Sequence, residues 1–189
     1  YDVPTPSAAR GIVESLYYHP GIRWHIRRIY VLNPIEFTTI RRNEVKSKIL
    51  GSTAMRIAQG KEDEPDLVKQ IVQRASMVLT NVHYVIEAEF EMLPEKAAPG
   101  DNPGKFQDIV TRRMRKGQCF STPYFGCREF PAHFKQWEGG PIPTIDETRD
   151  LGFMLYDFDY SDPQNITPLY FRAKMEHGVI QVAGCEVFR

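Results

Sequence analysis

Residues 5–45 read TPSAARGIVESLYYHPGIRWHIRRIYVLNPIEFTTIRRNEV, and this stretch predicts a helix, two strands and a charged site at their junction. Thr5 before Pro6 marks a helix start, since the threonine hydroxyl can accept an orphan amide N–H and proline suits the first turn. Ala8, Ala9, Ile12 and Leu16 form a narrow apolar stripe, and Arg10 and Glu14 pair i to i+4 on the other side. Pro20-Gly21 stops the helix, so Tyr17 and Tyr18 fall in its last turn. Ile22 to Leu32 is rich in Ile, Val, Trp and Tyr and reads as a strand, although it alternates poorly; it carries Arg23, Arg27 and Arg28. Pro34 interrupts it, and a short second run from Ile35 to Ile40 is closed by Arg41 and Arg42. Cations framing tyrosines at a helix end suit a polyanion better than a small neutral ligand.

Outward from this stretch the pattern stays mixed. Asn43 to Glu64 is polar, with glycines at 51 and 60 and the cluster Lys61-Glu62-Asp63-Glu64; it reads as a long loop or a marginal helix. Ser76 to Met92 (SMVLTNVHYVIEAEFEM) holds the clearest strand, with Val85, Glu87, Glu89 and Glu91 opposite Tyr84, Ile86, Ala88 and Phe90. The glutamates read as a solvated sheet face rather than a carboxylate site. Asn102-Pro103 opens a second helix and Gly117 ends it. Phe106, Ile109, Val110 and Met114 form its apolar face, with Lys105, Arg112, Arg113, Arg115 and Lys116 around the remainder. Strands are expected near Tyr124–Phe134 and Phe153–Tyr160, and a hairpin from Leu169 to Val182 turning at Glu176-His177-Gly178. The element order is a βαββαβ unit without its opening strand, and an N-terminal segment before Tyr1 is expected.

Composition sets the outer bounds. With 189 residues, 42% hydrophobic and 25% charged, the chain is an ordinary globular protein of one large domain or a domain with an appendage. No apolar run reaches membrane-spanning length, and no signal peptide opens the chain. Cys119, Cys127 and Cys185 lack CxxC spacing and read as reduced cytosolic thiols. His19, His25, His83, His133 and His177 form no paired zinc motif, so no metal or cofactor is expected. The balanced net charge conceals a segregation: residues 1–60 carry nine Lys/Arg against four Asp/Glu, whereas 137–189 carry four against nine. A basic surface beside an acidic tail fits a nucleic-acid groove with protein partners elsewhere; ordinary surface patchiness explains it equally well.

TPSAARGIVESLYYHPGIRW and VLNPIEFTTIRRNEV resemble the CRISPR-associated Cas-five family in its type I-C (Dvulg) branch. The likeness resumes, in the same order, at DNPGKFQDIVTRRMRKGQCFSTPYFGCREF (residues 101–130) and DLGFMLYDFDY (residues 150–160). The resemblance implies an α+β fold: a ferredoxin-like (RNA-recognition-like) domain over residues 1–136, then a small C-terminal antiparallel β-sheet over 137–189. It implies metal-independent cleavage of CRISPR precursor RNA within each repeat hairpin. The protein would then stay on the 5′ tag of the guide RNA, in the cytoplasm, beside the backbone and large subunits of a Cascade-type complex. The chemistry needs a base for the 2′-OH, a cation for the phosphorane and a proton for the departing 5′ oxygen; DNA lacks the 2′-OH and is spared.

By the same resemblance the active-site tyrosine is Tyr17 of ESLY, and the lysine is Lys105 at the second helix N-terminus. The next family position is often histidine and is Phe106 here; either Tyr17 and Lys105 suffice, or His19 or His25 serves, or the member cuts slowly or not at all. A tyrosine of ordinary pKa, about 10, needs a nearby cation to act as a base, and Lys105 is the candidate. Arg10, Arg41, Arg42, Arg112, Arg113 and Arg128 are the candidate RNA contacts. Read without the family, Tyr17 is an amphipathic helix-end residue, the arginine pairs are solubilising charge, Phe106 is core, and Trp24 and Trp137 are packing residues. Three functions follow: a nuclease, a non-catalytic tag-binding subunit of the same complex, and an unrelated enzyme on a similar scaffold, the last supported by no motif.

Overall fold

The computed structural model describes residues 1–61 and 70–189. They form an α+β structure with the elements α1 (Pro6–Leu16), β1 (Ile22–Val31), β2 (Glu36–Val45), α2 (Gly51–Ala58), β3 (Ile71–Thr80), β4 (Tyr84–Met92), α3 (Pro103–Arg115), β5 (Arg149–Asp159), β6 (Thr167–Glu176), β7 (Val179–Gln181) and β8 (Val187–Phe188). Two compact units divide the chain, Tyr1–Ile35 with Val82–Arg189, and Glu36–Asn81. The first contains a sheet in the order β4-β1-β7-β6-β5, with β8 on β6; the second is the antiparallel pair β2-β3 with α2 in its connection.

Both helix starts arise from the expected side chains. Thr5 Oγ1 accepts the N–H of Ala8 at 3.2 Å, and Asn102 Oδ1 accepts that of Lys105 at 2.9 Å. α1 ends at Leu16, so Tyr17 and Tyr18 lie just beyond the helix and not in its last turn as expected: Tyr17 is already extended, and the backbone ahead of Pro20 is kept from helical angles. Its last carbonyls are not left bare: the N–H of Phe120 reaches Ser15 O at 2.8 Å, and Arg113 donates to Leu16 O at 3.2 Å.

β1 buries Ile22, Trp24 and Ile26, then Ile29 and Val31. A bulge between Ile26 and Arg28 against β4 breaks the phase, which is why the run alternates poorly in sequence. On the open face Glu87, Glu89 and Glu91 of β4 hold Arg28, Arg27 and His25 at 3.2, 2.9 and 3.1 Å. The glutamate face is thus the solvated one expected, and it neutralises two of the three arginines read as polyanion ligands on this strand.

Two expectations are sharpened and two are corrected. The run Ser76–Met92 holds the expected strand as β4 and, ahead of it, the end of β3, because Asn81 (φ 51°) turns the chain in the left-handed region that asparagine tolerates. The polar segment after Asn43 contributes the last residues of β2 and then the short helix α2, the second of the two forms expected; Glu62, Asp63 and Glu64 lie outside the described residues. The expected strand Tyr124–Phe134 is a single bridge, Tyr124 to Pro131, around a turn. Pro123 and Pro131 offer no ladder N–H, and Gly126 sits at φ +74°. Arg128 therefore lies exposed on a turn, not on a strand.

The C-terminal hairpin turns at His177 and Gly178, both at positive φ, as expected. Its short arm β7 pairs with β1, Ile29 opposite Ile180, so the last strands join the same sheet. Two apolar clusters hold unit one: one around Ile29, Met154, Phe171, Met175 and Ile180, the other around Tyr17, Trp24, Phe106 and Val110. The second cluster carries the candidate site.

Candidate active site

Tyr17 ends α1, and Lys105 and Phe106 begin α3. The antiparallel strands β1 and β4 bring the two helix ends over the same apolar floor. Phe106 is 0% exposed; its ring lies 6.2 Å from that of Tyr17, 4.8 Å from that of His19 and edge-on to Phe90 at 6.3 Å. The core reading of Phe106 is the observed one. Trp24, also buried, donates its indole N–H to the Tyr17 carbonyl at 3.0 Å and fixes the backbone from which the phenol projects.

Tyr17 itself is 7% exposed. Its hydroxyl makes no hydrogen bond with a described residue. The Arg113 guanidinium lies over the ring, 5.1 Å from its centre. Burial pushes the phenol above its ordinary pKa, and the opposing fields of Arg113 and then Lys105 do not cancel that rise. Lys105 acts on Tyr17 in the direction expected from the sequence, but burial outweighs its field. Lys105 Nζ is bound to Asp101 Oδ1 at 2.7 Å, and that carboxylate, 1% exposed, adds a smaller rise at Tyr17 to the larger one from burial.

Asp101 organises the polar half of the site. It accepts the N–H of Ala98 at 2.8 Å as well as the lysine, and these bonds, the lysine's first, hold its carboxyl below the ordinary aspartate value. Lys105 is in turn held above its ordinary value by Asp101, so it stays an ammonium. An ammonium has three donors; one is on Asp101 and two remain. His19 stacks on Tyr17 (6.5 Å, 14° between planes), and its Nε2 lies 4.0 Å from the second oxygen of Asp101. His25 is on the open sheet face with Glu91, so of the two histidines weighed from the sequence only His19 belongs to this cluster.

The candidate RNA contacts scatter. Arg113 turns inward to Tyr17 and Leu16, whereas Arg112 on the same turn is exposed. Arg10 is bound to Asp157 at 2.6 Å and to Glu14 at 3.6 Å, at the edge of an open cavity of about 550 Å³ also lined by Arg23, Trp24, Phe158 and Tyr160. Arg41 and Arg42 lie on β2 in the other unit, with Arg42 near Glu44 at 3.4 Å. Next to Tyr17 in the chain, Tyr18 packs its exposed ring 6.3 Å from the exposed ring of Phe120. Sequence reasoning missed Asp101 and Trp24; the i,i+4 spacing of Asp101 and Lys105 across a helix start was the available signal for the first. Among the described residues no group of three or more His, Cys, Asp or Glu side chains is placed to hold a metal, and no helix is long and apolar enough to cross a membrane.

Comparison with known proteins adds an independent line. The family model described as CRISPR-associated protein (Cas_Cas5) matches residues 1–183. A protein of Mannheimia succiniciproducens named CRISPR pre-crRNA endoribonuclease Cas5d is 43% identical over 192 residues, covering 96% of this chain and 84% of that one. A protein of the same name from Thermus thermophilus is 33% identical over 199 residues, covering 96% and 80%. The solved structure of a functionally uncharacterized protein, SMU1763c from Streptococcus mutans, matches with a TM-score of 0.65 at 22% identity, covering 100% of this chain and 87% of that one. A crystal structure of a CRISPR-associated protein matches at 0.63 and 23%, covering 100% and 86%. At those identities the two structures show the fold alone.

Proposed function

The chain belongs to the Cas5d family of CRISPR-associated proteins, and from that premise we propose that it is an endoribonuclease that cuts CRISPR precursor RNA at the Tyr17–Lys105 cluster. The observation that carries this is the meeting of a phenol, an ammonium and an imidazole, distant in sequence, on one apolar floor. Tyr17, as phenolate, takes the proton of the 2′-OH. The 2′ oxygen bonds to the adjacent phosphorus, the P–O5′ bond breaks, and the departing oxygen takes a proton from the Lys105 ammonium. The products are a 2′,3′-cyclic phosphate and a 5′-OH, and solvent resets both side chains. An alkoxide is far more basic than an amine, so that last transfer is downhill even for a lysine held above its ordinary value. The requirement for a 2′-OH makes the reaction selective for RNA without any metal ion.

On this reading the fold is a ferredoxin-like variant over residues 1–136 carrying the site, with residues 137–189 as its β-rich extension. Arg112, Arg113 and Arg128 contact RNA phosphates beside the site, and Arg10, Arg41 and Arg42 contact them elsewhere. The protein keeps the 5′ tag of its product and works in the cytoplasm with the backbone and large subunits of a Cascade-type complex. The buried, high-pKa phenol favours one rival, a tag-binding subunit that does not cut. Repeat RNA incubated with the protein in EDTA, with and without a 2′-deoxy sugar at the scissile nucleotide, separates the two. Cleavage that survives chelation and stops with the deoxy sugar supports the nuclease; binding without cleavage supports the rival. A Tyr17→Phe variant that cuts as fast as the parent removes Tyr17 from the mechanism.

A further inference from the structure

His19 stands one residue before Pro20, where the chain leaves α1 for β1. Two contacts fix its ring: it stacks on Tyr17 and packs 4.8 Å from Phe106. A third fixes its proton. The backbone N–H of Gly21 donates to Nδ1 at 3.0 Å, which makes Nδ1 an acceptor and puts the ring proton on Nε2. A Cβ at Gly21 would meet Nδ1 at 3.1 Å and the Cα of Ala97 at 3.2 Å, so any side chain there shifts the ring or the turn by a few tenths of an ångström. Nε2 then lies 4.0 Å from Oδ2 of Asp101, beyond hydrogen-bond range. It has no acceptor among the described residues, and the side chain is 29% exposed, so the donor is open to a ligand. The other oxygen of the same carboxylate holds Lys105. The Lys105 ammonium and the unused Nε2–H of His19 therefore flank the two oxygens of one carboxylate, and each has a donor to give to an oxygen of a tetrahedral anion.

We propose that His19 is a third catalytic residue, a neutral donor whose Nε2–H binds a non-bridging oxygen of the scissile phosphate beside Lys105. This rests on the nuclease reading above. It also accounts for Phe106: the imidazole that the family resemblance leads one to expect from α3 is supplied here from the α1–β1 turn, and Phe106 is the wall it leans on. His19 is not the acid that protonates the leaving oxygen. Giving up the Nε2 proton requires a second proton on Nδ1, and that position faces the Gly21 N–H. As the phosphorane forms, negative charge grows on the non-bridging oxygen, and a donor already aimed at it stabilises that state more than the ground state.

Three variants test this in single-turnover cleavage of repeat RNA, beside binding of the 2′-deoxy RNA that cannot react. His19→Ala is expected to lower kcat by about 10²–10³-fold, the usual loss for one oxyanion donor, with binding within about threefold of the parent. His19→Gln, which keeps a neutral N–H near the Nε2 position, is expected to recover to within about tenfold of the parent. Gly21→Ala, which displaces the ring without removing it, is expected to fall between them. A phosphorothioate at one non-bridging position of the scissile phosphate is expected to slow the parent and to lose that stereospecific effect in His19→Ala. Parent-like cleavage by His19→Ala overturns the proposal. So do equal losses in His19→Ala and His19→Gln, which would make the residue an acid, and a collapse of 2′-deoxy RNA binding, which would make it structural. A parent that binds but never cuts removes the nuclease reading itself, a different failure read in the first lane.

Discussion

Phe106→His is the substitution that puts the family histidine back, and the geometry predicts that it harms the protein without helping catalysis. Phe106 is fully buried against Tyr17, His19 and Phe90. An imidazole in that seat buries a donor and an acceptor among aromatic rings. One unpaired buried polar group costs about 1–3 kcal/mol. Weakened edge contacts with the neighbouring rings add about 0.5–1.5 kcal/mol. A total of about 2–4 kcal/mol corresponds to a fall in Tm of about 4–16 °C for a chain of this size. The assay pairs a thermal melt with single-turnover cleavage of repeat RNA. The expected result is a lower Tm and a kcat no higher than the parent's, since the ring at 106 reaches no substrate and displaces the wall behind His19. A tenfold gain in kcat at unchanged Tm would refute the reasoning, because it would mean that the side chain at 106 faces the RNA.

Other outcomes follow from the same geometry. Trp24→Phe removes the bond to the Tyr17 carbonyl and is expected to destabilise by about 1–3 kcal/mol, seen as a lower denaturation midpoint at constant m, with kcat falling as Tyr17 loosens. Tyr17 is held above its ordinary pKa of 10.0 and Lys105 above 10.5, so the phenolate fraction and log kcat are expected to climb together, with slope about one, from neutral pH to beyond pH 10. Arg113→Met removes a field that lowers Tyr17, which moves that climb to higher pH and cuts the rate at pH 8; an optimum near pH 7 would assign the base to another group. Gly178→Ala forces a Cβ to 2.6 Å from the Ile145 carbonyl at φ +73° and is expected to cost at least about 2 kcal/mol in the melt, with kcat unchanged.

What the sequence made legible was local chemistry. Thr5 and Asn102 announced both long helices because a capping oxygen and a following proline leave few alternatives. The hairpin at His177-Gly178 was legible for the same reason. The break at Asn81 was hidden, since NVH holds neither glycine nor proline and the apolar alternation continues on both sides. The aromatic run after Tyr124 misled, because strand-forming residues do not help where prolines remove the ladder donors. In the site, no periodicity joins Tyr17 to Lys105; the family resemblance alone paired them. The role of Asp101 depends on the geometry of its two oxygens, and the tautomer of His19 depends on a backbone N–H two residues away. Neither is written in residue types.

The site sets two effects against each other, and their sizes decide which residues matter most. Burial of Tyr17 raises its pKa, and each unit of rise costs about 1.4 kcal/mol in the availability of the base. Asp101 adds to that cost at Tyr17 while holding Lys105 as a cation and keeping His19 close. An arrangement tuned to make the base strong would omit that carboxylate; one tuned to aim donors at the phosphorane requires it. A single aimed donor contributes about 2.7–4 kcal/mol at the transition state, the equivalent of about two to three units in the pKa of a base. The ranking of variants therefore follows: Lys105→Ala is expected to lose more rate than Arg113→Met, with Lys105→Ala losing kcat far more than affinity. Asp101→Asn separates the terms most sharply. It lowers the phenol's pKa and releases the lysine at once, so a net loss of kcat shows that aim outweighs base strength, and a net gain overturns that ordering.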